Sequence, residues 1–294
     1  MKCFPTSWAM QRTMQIPEEG RILEVRDLCK RYADFALDHV SFSLSAGTIT
    51  GFVGRNGAGK STTLKALLNL VHPDSGEIRF FGRDFLRDEQ AIKRQIGYVS
   101  GGVSYYPHKK LRVIAGVSRR FYESWDEEAY RGCLSRFALP EDRTPLELSE
   151  GMKVKFALTL ALSHHAKLLI LDEPTSGLDP VSREDLLEIF LQLVREERVT
   201  ILFSTHITSD LEQCADDILY IRNGEIAENG AMQDFADRYR LVKTAMDPGR
   251  AVIGARESKG GWTGLIRCGE RAPDGAEITR ANLEEILVHL EKEM

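Results

Sequence analysis

The chain has 294 residues, 43% of them hydrophobic and 28% charged, with a net charge of −5 and a pI of about 5.9. That balance suits a globular protein with a sizeable core and excludes a uniformly basic surface of the kind that gathers nucleic acid. No stretch approaches the roughly 18–20 apolar residues that cross a bilayer, so a role at a membrane would need another chain to do the spanning.

The first twenty residues, MKCFPTSWAMQRTMQIPEEG, lack the continuous apolar region of a signal peptide. They are expected to form a loose tail, or to extend a chain that could begin at Met10 or Met14. The five cysteines, Cys3, Cys29, Cys133, Cys214 and Cys268, contain no CxxC pair. Their spacing suggests neither zinc nor a disulfide framework, and they read as reduced thiols of a cytosolic protein.

Residues 21–53 read as three strands, ILEVRDL, HVSFSLS and TITGFVG, with Val40, Phe42 and Leu44 alternating with polar neighbours. Tyr32 precedes the strand pair that leads into the next motif. It offers a ring on which a base can stack, or it is simply an exposed tyrosine.

GRNGAGKST, Gly54–Thr62, follows the third strand and opens a helix expected over about 60–71, with Leu64, Leu67, Leu68 and Val71 on one apolar face. A glycine-rich turn between strand and helix is the setting of a phosphate-binding P-loop. Gly54, Gly57 and Gly59 admit turns closed to residues with a Cβ. The expected nucleotide contacts are Gly54, Asn56, Gly57, Ala58, Gly59, Lys60, Ser61 and Thr62, whose successive amides cradle phosphate oxygens at a helix N-terminus. Lys60 should reach the β- and γ-phosphates, and the Ser61 hydroxyl should ligate Mg2+.

HPDSG (72–76) is a turn cluster, EIRFFG (77–82) a short strand, and 86–97 looks helical before the strand IGYVS. Residues 101–147 are polar, aromatic and mostly helical by pattern, broken by Pro107, Pro140 and Pro145. They read as part of a helical insertion, about 101–162, in an α/β core. Its basic segment, Lys109, Lys110, Arg112, Arg119 and Arg120, is either a solvated helix face or a surface near anionic headgroups.

A long helix begins near Glu150, with Val154, Ala157, Leu158, Ala161 and Leu162 as its stripe. Just before it, LSEGM (148–152) places Ser149 and the Gly151 backbone at a helix start. This is either an ordinary N-cap or a second phosphate site, which would make sense facing another subunit's nucleotide. LLILDEP (168–174) is a strand buried on both faces that ends in two carboxylates. Asp172 can hold Mg2+ through water, and Glu173, pointing another way, can polarise an attacking water. TSGLDP (175–180) follows at once. After the buried strand TILFS stands His206, within hydrogen-bonding reach of a γ-phosphate if the strands are parallel. From about 235 the pattern changes to short strands near 251–254 and 264–268 and a final helix with Leu283, Ile286, Leu287 and Leu290 at helical spacing.

The order Tyr32, GRNGAGKST, LSEGM, LLILDE, SGLD and His206 resembles the ATP-binding subunit of ABC transporters: its A-loop, Walker A, signature, Walker B, D-loop and H-loop. The resemblance covers about 21–234. It implies an α/β P-loop ATPase core, a mixed sheet plus a RecA-like parallel sheet, with the helical subdomain at 101–162. A tail at 1–20 and a small C-terminal α+β domain at 235–294 flank this core. It implies ATP and Mg2+ as cofactors and Glu173, His206 and Lys60 as catalytic residues. Ser61 and Asp172 would ligate the metal, and Tyr32, Ser149, Gly151 and Asp179 would add nucleotide contacts. LSxGM, FYESWDEE (121–128) and THITSDLE are similar to bacterial ATPases paired with ABC-2-type permeases, often exporters. The resemblance therefore implies a second ATPase subunit, identical or paralogous, closing head to tail. It also implies a membrane permease as partner, no nucleic acid, and a place on the cytoplasmic face of the cell membrane.

Two residues depart from the family pattern. Gly101 stands where most members have the glutamine that ligates Mg2+ and contacts the permease, with Ser100 the nearest polar substitute. Glu150 replaces the first signature glycine and would repel a triphosphate unless a cation such as Lys153 at i+3 pairs with it. These departures keep open a weakly hydrolysing regulatory module. A soluble, non-transport ABC ATPase is the other alternative.

Overall fold

Continuous apolar runs and alternating ones sort the strands into three sheets. The computed structural model describes residues 20–101 and 105–293, so all of the expected N-terminal tail but Gly20 lies outside the described residues. In chain order come β1 (Arg21–Arg31), β2 (Ala36–Ser45), β3 (Ile49–Val53), α1 (Lys60–Leu67), β4 (Ser75–Phe80), β5 (Arg83–Asp84), α2 (Phe85–Lys93) and β6 (Ile96–Ser100). The helical insertion holds α3 (Leu111–Ser118), α4 (Glu127–Arg136) and α5 (Glu150–Ser163). Next follow β7 (Leu168–Asp172), α6 (Pro180–Glu197), β8 (Thr200–Thr205), α7 (Thr208–Cys214), β9 (Asp217–Arg222), β10 (Glu225–Ala231) and α8 (Met232–Asp237). The chain closes with β11 (Tyr239–Thr244), β12 (Ile253–Ser258), β13 (Gly261–Arg267), β14 (Glu277–Arg280) and α9 (Leu283–Leu290).

The central sheet has the order β10-β9-β3-β8-β7-β6, parallel except for β10, which pairs antiparallel with β9. Every residue of β3, β7 and β8 is buried, as strands covered on both faces must be. Their side chains alternate between two cores. Val53, Leu169, Leu171, Ile201 and Phe203 face the helical side, where Phe190 of α6 packs on Phe203 at 5.7 Å between ring centroids. Phe52, Leu168, Ile170 and Leu202 face α1 and the antiparallel sheet β2-β1-β4-β5, where Phe42 meets Phe52. A third sheet, β12-β13-β11-β14, carries a small core of Val242, Val252 and Ile266, while α9 buries Leu283, Ile286, Leu287 and Leu290 in the same cluster as Ile218 and Tyr220 of β9.

Two expectations shift in detail. The helix after the glycine-rich turn ends at Leu67 rather than near 71, because Asn69 takes a left-handed conformation (φ 56), which asparagine tolerates. Val71 therefore leaves the apolar face that Leu64, Leu67 and Leu68 form. The helix expected over 86–97 stops at Lys93, and the strand expected at IGYVS is β6 over its whole length. Gly97 is required there by close packing: a Cβ would lie 2.5 Å from Ala161 Cβ of α5.

The helical insertion is pinned to the core where α5 ends. The His164 ring stacks on Tyr122 at 3.8 Å with 5° between planes, and its Nδ1 lies 3.2 Å from the Arg94 carbonyl oxygen. Burial lowers the His164 pKa to about 4. Above pH 6.5 the ring is neutral whether folded or unfolded. Between 6.5 and 4 only the unfolded chain takes up the proton, so stability falls as pH falls. From pH 7 to pH 5 this group should remove about 2 kcal/mol of unfolding free energy. Urea melts of the parent and of His164→Phe should show the parent losing that much more over the interval. Parallel pH profiles would mean that His164 is not the responsible group.

Candidate functional site at the sheet's C-terminal edge

The glycine-rich turn leaves the C-terminal end of β3, in the middle of the parallel sheet, where open α/β folds keep their ligand crevice. Its glycines are needed for two reasons. Gly57 (φ +84) and Gly59 (φ +117) adopt left-handed backbone. At Gly54 a Cβ would lie 2.4 Å from the Ile221 carbonyl oxygen, and at Gly59 it would lie 2.7 Å from Leu37 and 2.9 Å from Phe35. Gly59 caps α1 without a side-chain acceptor, leaving the first helical amides available to an anion. Lys60 is buried, and its Nζ donates to the Gly54 carbonyl (2.7 Å) and the Arg55 carbonyl (3.3 Å). Asn56 and Gly57 are exposed, Ala58 and Gly59 buried, and Ser61 and Thr62 half-buried.

The carboxylates arrive by strand register. Ser100, Asp172 and Ser204 are successive partners on β6, β7 and β8, and Val53 pairs with Thr205 one residue further on. Asp172 Oδ1 accepts from Ser61 Oγ (3.0 Å) and from Ser204 Oγ (2.7 Å). A hydroxyl bonded to a carboxylate that a buried serine also holds supplies the hard oxygen donors that Mg2+ prefers, so the residues present fit that ion. Glu173 has a left-handed backbone (φ 52), unusual for a residue with a side chain and frequent at functional sites. Its amide donates to Ser204 Oγ at 3.0 Å. The turn sends its carboxylate away from Asp172, to 3.7 Å from Lys60 Nζ and 2.7 Å from His206 Nδ1.

Lys60, Ser61, Asp172, Glu173 and His206 thus converge. Tyr32 is half-exposed in the turn between β1 and β2, stacked on Phe35 at 6.4 Å, and Phe35 abuts Gly59. Ser149, Gly151 and Asp179 gather elsewhere. Ser149 caps α5 by accepting from the Met152 amide, and Asp179 caps α6 by accepting from Val181, Ser182 and the Ser182 hydroxyl. Those hydrogen bonds hold the Asp179 carboxyl below its usual range. A Cβ on Gly151 would touch Ser182, so these caps are neighbours. Among the described residues they make no hydrogen bond to the glycine-rich turn. Glu150 pairs with Lys153 at 2.6 Å, which neutralises the carboxylate beside Ser149. Gly101 (φ +60) donates its amide to the Asp172 carbonyl at 3.3 Å.

A sequence profile described as "ABC transporter" matches residues 37–176. The bacitracin transport ATP-binding protein BcrA of Bacillus licheniformis is 33% identical over 237 residues, 79% of this chain and 78% of that protein. The chain belongs to the ABC transporter family. This cassette is its ATP-binding, ATP-hydrolysing subunit type. It is also similar to a probable multidrug ATP-binding protein, YbhF, of Escherichia coli, 33% identical over 77% of this chain but 40% of that protein. A carnitine transport ATP-binding protein of Listeria monocytogenes is 29% identical over 72% of this chain and 58% of that protein. Among solved structures, an ATP-binding subunit of an ABC transporter shares 30% identity over 72% of this chain and 91% of that one, with a TM-score of 0.65.

Sequence reasoning missed several parts of the cassette. Ser204 sits mid-motif in a buried strand, and only the pairing with β7 exposes its link to both carboxylate residues. Asp210 on α7 is buried, and that burial pushes its carboxyl up. The C-terminal helix also reaches this edge: Glu291 accepts from Tyr220 OH at 2.7 Å and lies 3.9 Å from Arg55 of the glycine-rich turn. Between them is a cavity of about 620 Å3, walled by Val53, Arg55, His206, Tyr220 and Leu287. Ser204→Ala should lower kcat for ATP roughly tenfold by loosening Asp172 and Glu173 together, while costing only about 1 kcal/mol of stability. Steady-state ATPase assays and denaturant melts check this. An unchanged kcat would detach Ser204 from the reaction.

Proposed function

We propose that the cassette binds Mg·ATP at Lys60, Ser61 and Asp172, with Tyr32 against the base, and closes head to tail on a second cassette. It drives export through a separate ABC-2-type permease at the cytoplasmic face of the membrane. The observation that carries this reading is the separation of two clusters in one chain. The phosphate, metal and base residues meet at the sheet edge, while Ser149, Gly151 and Asp179 gather at paired helix caps apart from it. A second subunit presenting Ser149 and Gly151 to the first subunit's γ-phosphate gives that second cluster a ligand. The similarity to cassettes named for bacitracin and multidrug transport supports an exporting role. No helix among the described residues is long and apolar enough to cross a membrane, in keeping with a separate permease.

In this reading Glu173 takes the proton of the attacking water, with His206 at 2.7 Å orienting it and meeting the γ-phosphate. Glu173→Gln should reduce steady-state ATP hydrolysis by at least about 100-fold while ATP-dependent dimerisation persists in sedimentation experiments. Hydrolysis at the parent rate would remove Glu173 from the role of base.

The permease-docking face lies beside Gly101. Tyr105, Tyr106, Val117 and Tyr122 line a shallow hollow of about 270 Å3, at whose rim Phe121 is 69% exposed. Such an apolar patch on a helical insertion suits a short cytoplasmic helix of a membrane protein. The neighbouring basic segment is less available to headgroups than its composition implies, because Lys110 and Arg112 both pair with Asp142 and Arg119 lies 3.7 Å from Glu127. Phe121→Asp should abolish co-purification with the permease and leave the ATPase activity of the isolated cassette within about twofold of the parent. Retained co-purification would move docking elsewhere.

A further inference from the structure

The antiparallel pair β1–β2 carries an irregularity that the ATPase reaction does not use. Leu28 pairs with Val40 and Lys30 with Leu37, so Cys29 alone opposes both Asp38 and His39. This is a β-bulge, a device that re-aims side chains. Asp27 and His39 both take left-handed backbone (φ 49 and 47) at the same place. One donor atom each from Cys29, Asp38 and His39 lies within 4.8 Å of the others, the only such group of three among the described residues. Tetrahedral ligand atoms around a metal stand about 3.3–3.8 Å apart, so side-chain rotations of roughly 1 Å close the site.

We propose that Cys29, Asp38 and His39 bind a divalent ion of the Zn2+ class. Thiolate, imidazole and carboxylate together select a borderline-soft metal over Mg2+, whose hard-oxygen site lies separately at Ser61 and Asp172. The surrounding groups support ligation. The His39 amide donates to Cys29 Sγ at 3.4 Å, a contact that favours the thiolate, while the thiol donates to the Asp27 carbonyl oxygen at 3.5 Å, a bond that ligation would replace. Asp38 Oδ1 is 3.8 Å from His39 Nε2, and Asp27 Oδ1 is 3.5 Å from Nδ1. With Nε2 turned to the ion beside Asp38, the Asp27 carboxylate stands 3.5 Å from Nδ1, in place to take its proton and orient the ring as in a carboxylate–histidine–metal arrangement. His39 and Asp38 are open to solvent, which gives the ion a path in and leaves the fourth position to water. The site lies just below the turn that holds Tyr32 and Phe35, so a bound ion braces that hairpin.

The test uses the full chain, stripped with chelator and titrated with Co2+ as a spectroscopic probe. A near-ultraviolet thiolate-to-cobalt band should saturate at one equivalent and disappear on adding Zn2+. Cys29→Ser should abolish the band. His39→Ala should weaken binding at least about tenfold, and Asp27→Asn roughly ten- to hundredfold. Cys268→Ser, which changes an exposed thiol outside the cluster, should leave it intact. Zn2+ should also raise the melting temperature of the parent and not of Cys29→Ser, whose circular dichroism serves as the folding control. The proposal is overturned if no band forms, if the band survives Cys29→Ser or follows Cys268, or if His39→Ala binds like the parent.

Discussion

The hydrogen bond from Ser204 to Asp172 joins two buried parallel strands at the level where both end. Because every residue of β7 and β8 is enclosed, a slip of one position would send each side chain into the opposite core and misfit both at once. Hydrophobic burial thereby holds the register, and the register sets the chemistry. Asp172 lands beside Ser61, and the Glu173 amide lands on Ser204. The left-handed turn at Glu173 then throws its carboxylate to Lys60 and His206. The reactive groups are placed by a hydrophobic sheet that takes no part in the reaction, which is how such sites gain precision without loop flexibility.

The same edge meets parts of the chain far away in sequence. Phe35, from the turn that carries Tyr32, rests against Gly59, where a larger residue would collide with it. The C-terminal helix sends Glu291 to Tyr220, the register partner of Val53, and toward Arg55. The glycine-rich turn is therefore mechanically linked to the antiparallel sheet on one side and to the C-terminal helix on the other. Movement at either has a short path of packed side chains to the phosphate loop.

Much of this was legible in one dimension. Gly54–Thr62, LLILDE and His206 announce their elements because a strand buried on both faces is a continuous apolar run and a P-loop needs its glycines in a set order. The pairing of Glu150 with Lys153 also follows from helical spacing alone. Elsewhere local pattern misled. Val71 continues the apolar period of α1 but lies beyond the left-handed Asn69, and the helix expected to run to 97 stops at Lys93, before Ile96–Ser100 pairs with β7. In both places a turn residue or a tertiary strand partner outweighed a weak helical signal.

By itself the sequence determined the class of fold, the family, and the places of the glycine-rich turn and the two adjacent carboxylates, since each depends on residues adjacent in the chain or on the period of a single element. The tertiary structure alone decided which groups meet. Ser204 reaches Asp172 across 32 residues and Glu291 reaches Tyr220 across 71. Asp38 and His39 come beside Cys29 only because a bulge folds two residues opposite one, although cysteine spacing held no hint of a metal site. Contacts between strands depend on register and bulges, which arise from the burial of whole faces, and no local window of sequence contains that information.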